Sequence, residues 1–321
     1  MTRLAIIAIG RNEGARLHGC LSSLLGLAER LIYVDSGSSD DSLATARTLG
    51  AEVVELDPAT PFTAARARNA GVAALGPDLP EYIHFIDGDC VMVPGWIDSA
   101  LSAMIADPGL GIVTGWRAEI RPHDSIYNAI CDHEWHRPAG PITTCGGDML
   151  VRGAAFQQAG GFNEAVIAAE DDDFCLRVAM AGFTLIRLPQ AMTRHDADMR
   201  RFSQWWRRSV RNGHGFGQLG TLHPGHLARE RLRVWVFAAA LPILAVIALA
   251  LTPWLVLGVL AIYAGSYLRT VAGLHQGGME IRLAAHQGLF LSLSKFPNLI
   301  GMITFYLRNR RGRDIQIIEY K

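Results

Sequence analysis

A chain of 321 residues with 30 basic and 30 acidic side chains has room for one large domain or two smaller ones, each with a full core. The balance is uneven: residues 1–225 carry 19 Lys and Arg against 26 Asp and Glu, a net of −7, whereas residues 226–321 carry 11 against 4, a net of +7. Five scattered cysteines without a Cys-x-x-Cys pair argue against a disulfide framework or a zinc site, and for a reducing compartment.

The opening MTRLAIIAIGRNEG has too short an apolar stretch for a signal peptide, which leaves the first domain in the cytosol. Leu4–Ile9 reads as a strand and Glu13–Leu25 as a helix. Leu31–Asp35 is a second strand, followed by the loop Ser36-Gly37-Ser38-Ser39, a helix over Asp40–Leu49 closed by Gly50, and a third strand over Glu52–Leu56. Thr63–Leu75 is helical, and the apolar run from Tyr82 ends a fourth strand at Asp87-Gly88-Asp89. Repeated strand–helix units imply an α/β domain with a doubly wound, mostly parallel sheet. Such sheets bind ligands beyond the carboxyl ends of their strands, where Asn12 and Glu13, Asp35, and Asp87 and Asp89 fall.

Residues two apart on an extended chain point the same way, so Asp87 and Asp89 converge and repel unless a cation lies between them. Mg²⁺ or Mn²⁺, which prefer oxygen ligands, suit that pair, and a solvated Asp-Gly turn is the plain alternative. No Gly-x-Gly-x-x-Gly follows the first strand and no Gly-x-x-x-x-Gly-Lys-Ser/Thr occurs, which speaks against a dinucleotide dehydrogenase and a P-loop NTPase. In AAEDDDFCLR (Ala168–Arg177), four consecutive acids open a helix. The helix dipole favours acids there, yet four exceed what capping needs, and their repulsion raises at least one pKa. Cys145-Gly146-Gly147-Asp148 reads either as a close backbone approach to a ligand or as a turn.

The segments AIIAIGRNEGARLHGCLSSLL, LIYVDSGSSDDS, ARARNAG, FIDGDC, GGDMLVRGAAFQQAGGFNE and AEDDDFCLRVAMAGF, in that order, resemble the family 2 glycosyltransferases of GT-A (Rossmann-like) fold over about residues 3–215. The resemblance implies that Asn12, Glu13 and Asp35 meet the nucleoside of a sugar nucleotide, with Arg68 near it. It places Asp87 and Gly88 at the ribose or the metal, and Asp89 on the metal with His195 as a third ligand. It makes Asp171 the base that takes the acceptor's proton, with Glu170 beside it, and turns Gly147 and Asp148 toward donor and acceptor. Gln204-Trp205-Trp206-Arg207-Arg208 resembles the Gln-x-x-Arg-Trp signature of processive synthases, with Arg208 in place of its Trp, and would meet acceptor or diphosphate. An amphipathic helix on a membrane surface explains the same Trp and Arg pattern.

Val234–Leu251 is an 18-residue run without charge; Thr252-Pro253 interrupts it, and Trp254–Leu268 adds 15 more, short for a full span. Arginines 229, 231, 233 and 269 flank this hairpin and put both ends in the cytoplasm. A single re-entrant hairpin competes with two spans. Leu289–Leu307, broken by Lys295, Pro297 and Asn298 and followed by Arg308, Arg310, Arg311 and Arg313, reads as an interfacial helix with a basic end. The expectation is a catalytic domain over residues 1–225 and a membrane module over 226–321, at the cytoplasmic membrane with catalysis on the cytoplasmic side. The basic part faces lipid rather than nucleic acid. The expected enzyme is inverting and uses Mg²⁺ or Mn²⁺. It moves a sugar from a nucleotide sugar to a polyprenyl-diphosphate-linked saccharide in exopolysaccharide or cell-envelope synthesis. A nucleotidyltransferase and a membrane-bound sugar-nucleotide sensor are the alternatives.

Overall fold

The structure, a computed structural model, describes residues 3–252 and 254–311. The chain forms two compact units with the boundary after Asp198.

In the first unit, strands β1 (Leu4–Gly10), β2 (Arg30–Asp35), β3 (Glu52–Glu55) and β4 (Tyr82–Asp87) alternate with helices α1 (Ala15–Leu24), α2 (Ser42–Thr48) and α3 (Ala64–Ala74). The four strands pair in parallel in the order β3-β2-β1-β4. Helices cover both faces, so β1 is apolar at every position from Leu4 to Ile9. Ile6 and Ala8 pack with Leu17, Leu21 and Tyr33 on one side; Ile7 and Ile9 pack with Val34, Ala65 and Phe85 on the other. Register sets Gly10 beside Asp35 and Ile9 beside Asp87, which gathers the polar strand ends at one edge.

Beyond β4 the sheet becomes mixed. Strands β5 (Cys90–Met92), β6 (Leu110–Glu119), β7 (Gly140–Pro141), β8 (Met149–Arg152) and β9 (Thr184–His195) join helices α4 (Trp96–Ala106), α5 (Ile126–Trp135), α6 (Gly153–Ala159) and α7 (Glu170–Met180). The order is β3-β2-β1-β4-β8-β6-β9-β5, with β7 on β9. Strand β8 runs antiparallel to both β4 and β6, and β5 antiparallel to β9, so parallel pairing dominates only the N-terminal half. Strand β9 is long, twelve residues from Thr184 to His195. Register shifts against β6 let it bend and go on to His195, which stands opposite Cys90 on one side and Glu119 on the other.

One core position carries a measurable penalty. His84 lies in the middle of β4, fully buried between Ile6 and Leu150, and neither ring nitrogen has a hydrogen-bond partner. Burial lowers its pKa from 6.5 to about 3. Between those values the unfolded chain binds a proton that the native chain refuses, so stability falls as pH drops through the window. His84→Phe is expected to flatten the fall in thermal midpoint between pH 7 and pH 4; parallel profiles for the two proteins would remove His84 as a cause.

The second unit is helical: α8 (Phe202–Leu222), α9 (Ala228–Trp235) running through a π-helical turn (Val236–Ala240) into α10 (Leu241–Leu251), α11 (Trp254–Gln276), α12 (Ile281–Leu293) and α13 (Lys295–Arg310). Helices α8 and α13 touch backbone to backbone. A Cβ on Gly213 would lie 2.0 Å from the Asn298 carbonyl oxygen, and one on Gly301 would lie 2.0 Å from that of Val210. That contact groups α8 with the C-terminal helices, which moves the boundary from the expected 225 to 198.

Among the described residues, three stretches, Ala228–Leu251, Trp254–Gln276 and Ile281–Arg310, are long and apolar enough to cross a membrane. The second continues through Arg269 for 23 residues, past the expected end at Leu268, because an exposed arginine does not interrupt a helix. Pro297 sits in the first turn of α13, where its missing N–H costs little, so it opens a helix instead of breaking one. Pro253 and Arg313 lie outside the described residues.

Candidate active site

Two loops at the ends of β1 and β2 are tied to each other by side chains. Asn12, with a left-handed backbone (φ 56°), accepts the Ser39 amide at 2.7 Å, and its own amide donates to Ser38 Oγ at 2.9 Å. The Gly14 amide donates to Asp40 Oδ2 at 3.0 Å. Asp35, buried, accepts from the amides of Gly37 and Ser38 and from the hydroxyls of Ser38 and Tyr33. Its immediate work is therefore to shape its own loop. Beside it, Glu13 pairs with Arg16 at 2.9 Å and approaches Gly10 and Gly88, where a larger residue would press on its Cγ.

A chain of ion pairs crosses the site. Arg68, on α3 and 2% exposed, donates Nη1 to Glu170 Oε1 at 2.8 Å and Nη2 to Asp87 Oδ1 at 2.9 Å, with its guanidinium over the Phe162 ring. Arg117, on β6, reaches Asp87 Oδ2 at 3.4 Å and Asp148 Oδ2 at 2.9 Å while lying over Trp135. Asp148 also accepts the Thr193 hydroxyl at 2.7 Å and the Asp87 amide at 3.1 Å. Gly147 must be glycine because a Cβ there would fall 2.0 Å from Arg68 Nη2, a side chain held at both ends.

Asp89 and His195 meet next to this chain. His195 Nε2 lies 3.3 Å from Asp89 Oδ2, both are buried, and His195 Nδ1 has no partner. Burial first, then the nearby Arg117, lowers the His195 pKa to about 4, so at neutral pH the ring offers a lone pair. A neutral imidazole touching a carboxylate, with the charges of Asp87 and Asp148 nearby, fits a divalent cation. Asp87 itself is occupied by two arginines, whereas Asp89 and His195 face each other.

Helix α7 begins after Ala169, which is also left-handed (φ 64°), a backbone strain typical of functional sites. Of the four acids that follow, Glu170 is bound by Arg68, and Asp173 is gripped by Arg177 Nε and Nη2 at 2.9 and 2.7 Å. Asp171 points toward Gly146: a Cβ on that glycine would lie 3.9 Å from both Asp171 Oδ2 and Arg117 Nη2. Burial, then the charges of Glu170 and Asp172, pushes the Asp171 pKa well above the ordinary carboxylate range.

The sequence model of glycosyl transferase family 2 matches residues 5–166, half of the chain. The chain belongs to that family. A pre-mycofactocin glycosyltransferase of Mycobacterium tuberculosis is 28% identical over 234 residues, covering 68% of this chain and 47% of that protein. The chain thus spans about half the length of that curated relative. A mannosyltransferase from Pyrobaculum calidifontis, solved in complex with GDP-Man and Mn²⁺, has a TM-score of 0.56 at 20% identity over 92% of this chain and 87% of its own. Glucosyl-3-phosphoglycerate synthase from M. tuberculosis, solved with Mn²⁺, UDP and glucosyl-3-phosphoglycerate, has a TM-score of 0.50 at 17% identity, covering 68% and 79%. At those identities the likeness is one of fold, which is GT-A.

In this family 2 chain, the expected residues from Asn12 to His195 gather at the carboxyl edge of the sheet. The expected group on α8 belongs to the second unit. There Gln204 accepts the amides of Arg200 and Arg201 and so caps its own helix, and Trp205 is buried against Phe290. Trp206 and Arg207, with Phe202 and Ser203, line an open cavity of about 330 Å³. Arg208 is half-buried. Arg117 and Thr193 were absent from the sequence-based set. Their signal was weak but present: Arg117 is a charge inside the run LGIVTGWRAE, which otherwise reads as a buried strand.

Proposed function

We propose that this family 2 chain is an inverting, metal-dependent glycosyltransferase. It transfers a sugar from a nucleotide sugar to a polyprenyl-diphosphate-linked saccharide in exopolysaccharide or cell-envelope assembly. The observation that carries this reading is the convergence of a cation-type pair, Asp89 and His195, with a carboxylate of raised pKa, Asp171, around one sheet edge. Mn²⁺ in the mannosyltransferase and the synthase supports a divalent ion here, Mn²⁺ or Mg²⁺.

Asp89 and His195 would hold the ion, which supplies positive charge for a departing nucleoside diphosphate. The loops carrying Asn12, Glu13 and Asp35 would frame the nucleoside, with Gly88 giving the backbone room to approach. Arg68 fixes Asp87 and Glu170 in place, so neither carboxylate is free to attack the sugar. Asp171 remains to accept the proton of the acceptor hydroxyl as it attacks, and one base without a nucleophile means single displacement with inversion. Gly147 and Asp148 act from behind, as the space and the bracket for Arg68 and Arg117.

Three candidate spans among the described residues, with their basic flank, support a seat in the cytoplasmic membrane with the sheet unit on the cytoplasmic side. In that setting Trp206, Arg207 and Arg208 suit the headgroup region near a lipid-linked diphosphate. The full-length chain is expected to sediment with membranes and to need detergent for release; recovery in the soluble fraction would refute the membrane seat.

Calorimetry with nucleoside diphosphates tests the donor site. Wild type is expected to bind one of them only when Mn²⁺ or Mg²⁺ is present, and Asp89→Ala to lose that binding. Metal-independent binding in wild type, or unchanged metal dependence in Asp89→Ala, would overturn the assignment.

A further inference from the structure

Cys90 opens β5 directly opposite His195 on β9, and opposed residues of an antiparallel pair stand on the same face. Its Sγ lies 3.8 Å from Asp89 Oδ1, while Asp89 Oδ2 lies 3.3 Å from His195 Nε2. One donor atom from each of the three residues falls within 4.8 Å of the other two, and all three side chains are buried. Around a tetrahedral zinc-type ion, with bonds of about 2.0–2.3 Å, donor atoms stand about 3.5 Å apart. The trio is thus within roughly an ångström of a coordination sphere.

We propose that Cys90 is a third ligand of the cation site and makes it select a thiophilic divalent ion, such as Zn²⁺, Co²⁺ or Cd²⁺, over Mg²⁺. The proposal rests on Asp89 and His195 holding a cation. Magnesium demands oxygen donors in a near-ideal octahedron, whereas a set of one carboxylate, one imidazole and one thiolate suits borderline and soft ions. Coordination exchanges the Sγ–H bond for a sulfur–metal bond, and the proton leaves to solvent; no redox partner is needed. The sequence argued against a zinc site because no two cysteines are near each other, but a site with a single cysteine needs no such pair. The bland role for Cys90 is that of a small apolar filler beside Ile86, Met92 and Trp96, with which it shares a core. A filler predicts indifference to the metal.

Cobalt distinguishes the two, because thiolate-to-Co²⁺ charge transfer absorbs in the near ultraviolet and carboxylate or imidazole ligation does not. The full-length chain in detergent is titrated with Co²⁺, and bound Mn²⁺ is followed in parallel by its spin-resonance signal. Wild type is expected to develop the thiolate band as Co²⁺ displaces Mn²⁺, and to lose it when Zn²⁺ is added. Cys90→Ser should still bind Mn²⁺ but show no band and prefer Zn²⁺ over Mn²⁺ less strongly than wild type, because the carboxylate and imidazole keep the ordinary order of affinities. Cys175→Ser, on α7, should keep the band, and Asp89→Ala should lose both band and Mn²⁺. If wild type binds Co²⁺ in place of Mn²⁺ without a thiolate band, Cys90 is not a ligand, and the Asp89–His195 cation site stands. If wild type binds neither ion, the cation site falls and this inference with it. A wild-type spectrum without the band decides against Cys90 even where a variant fails to fold.

Discussion

Asp171→Asn is expected to lower sugar transfer by about two to four powers of ten, the usual contribution of a general base. The substitution keeps the size of the side chain and its ability to accept from the Asp172 amide, which Asp171 Oδ1 does at 2.9 Å. What it removes is the capacity to take a proton. Donor affinity should hardly change, because the carboxylate faces Gly146 and not the loops of β1 and β2. Helix capping is the competing role, and it predicts about 0.5–2 kcal/mol of lost stability with near-normal turnover. The neighbours separate the roles. Glu170→Gln weakens the bond to Arg68 and should cost stability as well as rate, whereas Asp172→Asn should be mild in both. Turnover, donor Kd and thermal midpoint measured on the three variants decide. Wild-type turnover in Asp171→Asn would place the base elsewhere.

Arg68→Met should strongly destabilise the first unit. It leaves Glu170 buried without its cation and strips Asp87 of its nearer partner, leaving Arg117 at 3.4 Å. Removing one member of a buried ion pair costs about 3–5 kcal/mol, because the remaining charge has neither water nor a partner. For a unit of this size that corresponds to a fall in thermal midpoint of about 6–20 °C. Adding Glu170→Gln should recover part of the loss by removing the stranded charge. A midpoint for Arg68→Met within about 2 °C of wild type would show that the arginine is not the centre of the network.

The N-terminal half of the sheet was legible because its strands are unbroken apolar runs ended by polar residues, and the helices between them have clear periods. Asp87, Asp89, Glu170 and Asp171 stood out for the same reason: charges in clusters at element ends. The second half was less legible. Strand β6 carries Arg117 and Glu119, and β9 carries Arg187, Arg194 and His195, so neither is an unbroken apolar run. Both are long and bent by register shifts that no local residue announces. Arg117 escaped for that reason, since its partners Asp87 and Asp148 come from other strands and loops. Trp205 shows what local pattern leaves out. Its group suggested a contact with acceptor or diphosphate, and the ring is buried against Phe290, 85 residues further along the chain, a contact that sequence spacing does not reveal. Pro297 likewise suggests a break until its place in the first turn of α13 is known.

The paired loops after β1 and β2 have a consequence for selectivity. Six backbone amides there, those of Asn12, Gly14, Gly37, Ser38, Ser39 and Ser42, are held by side chains of the same two loops. Each loop thus closes the other, and neither opens alone. A ligand entering between them meets walls that have already lost their freedom during folding, so little further ordering opposes its binding. If this mouth takes the base of the donor, as proposed, it discriminates by stiffness: a base of the wrong outline meets a rim that does not adjust, and a change of preference has to come from replacing residues rather than from motion within one molecule.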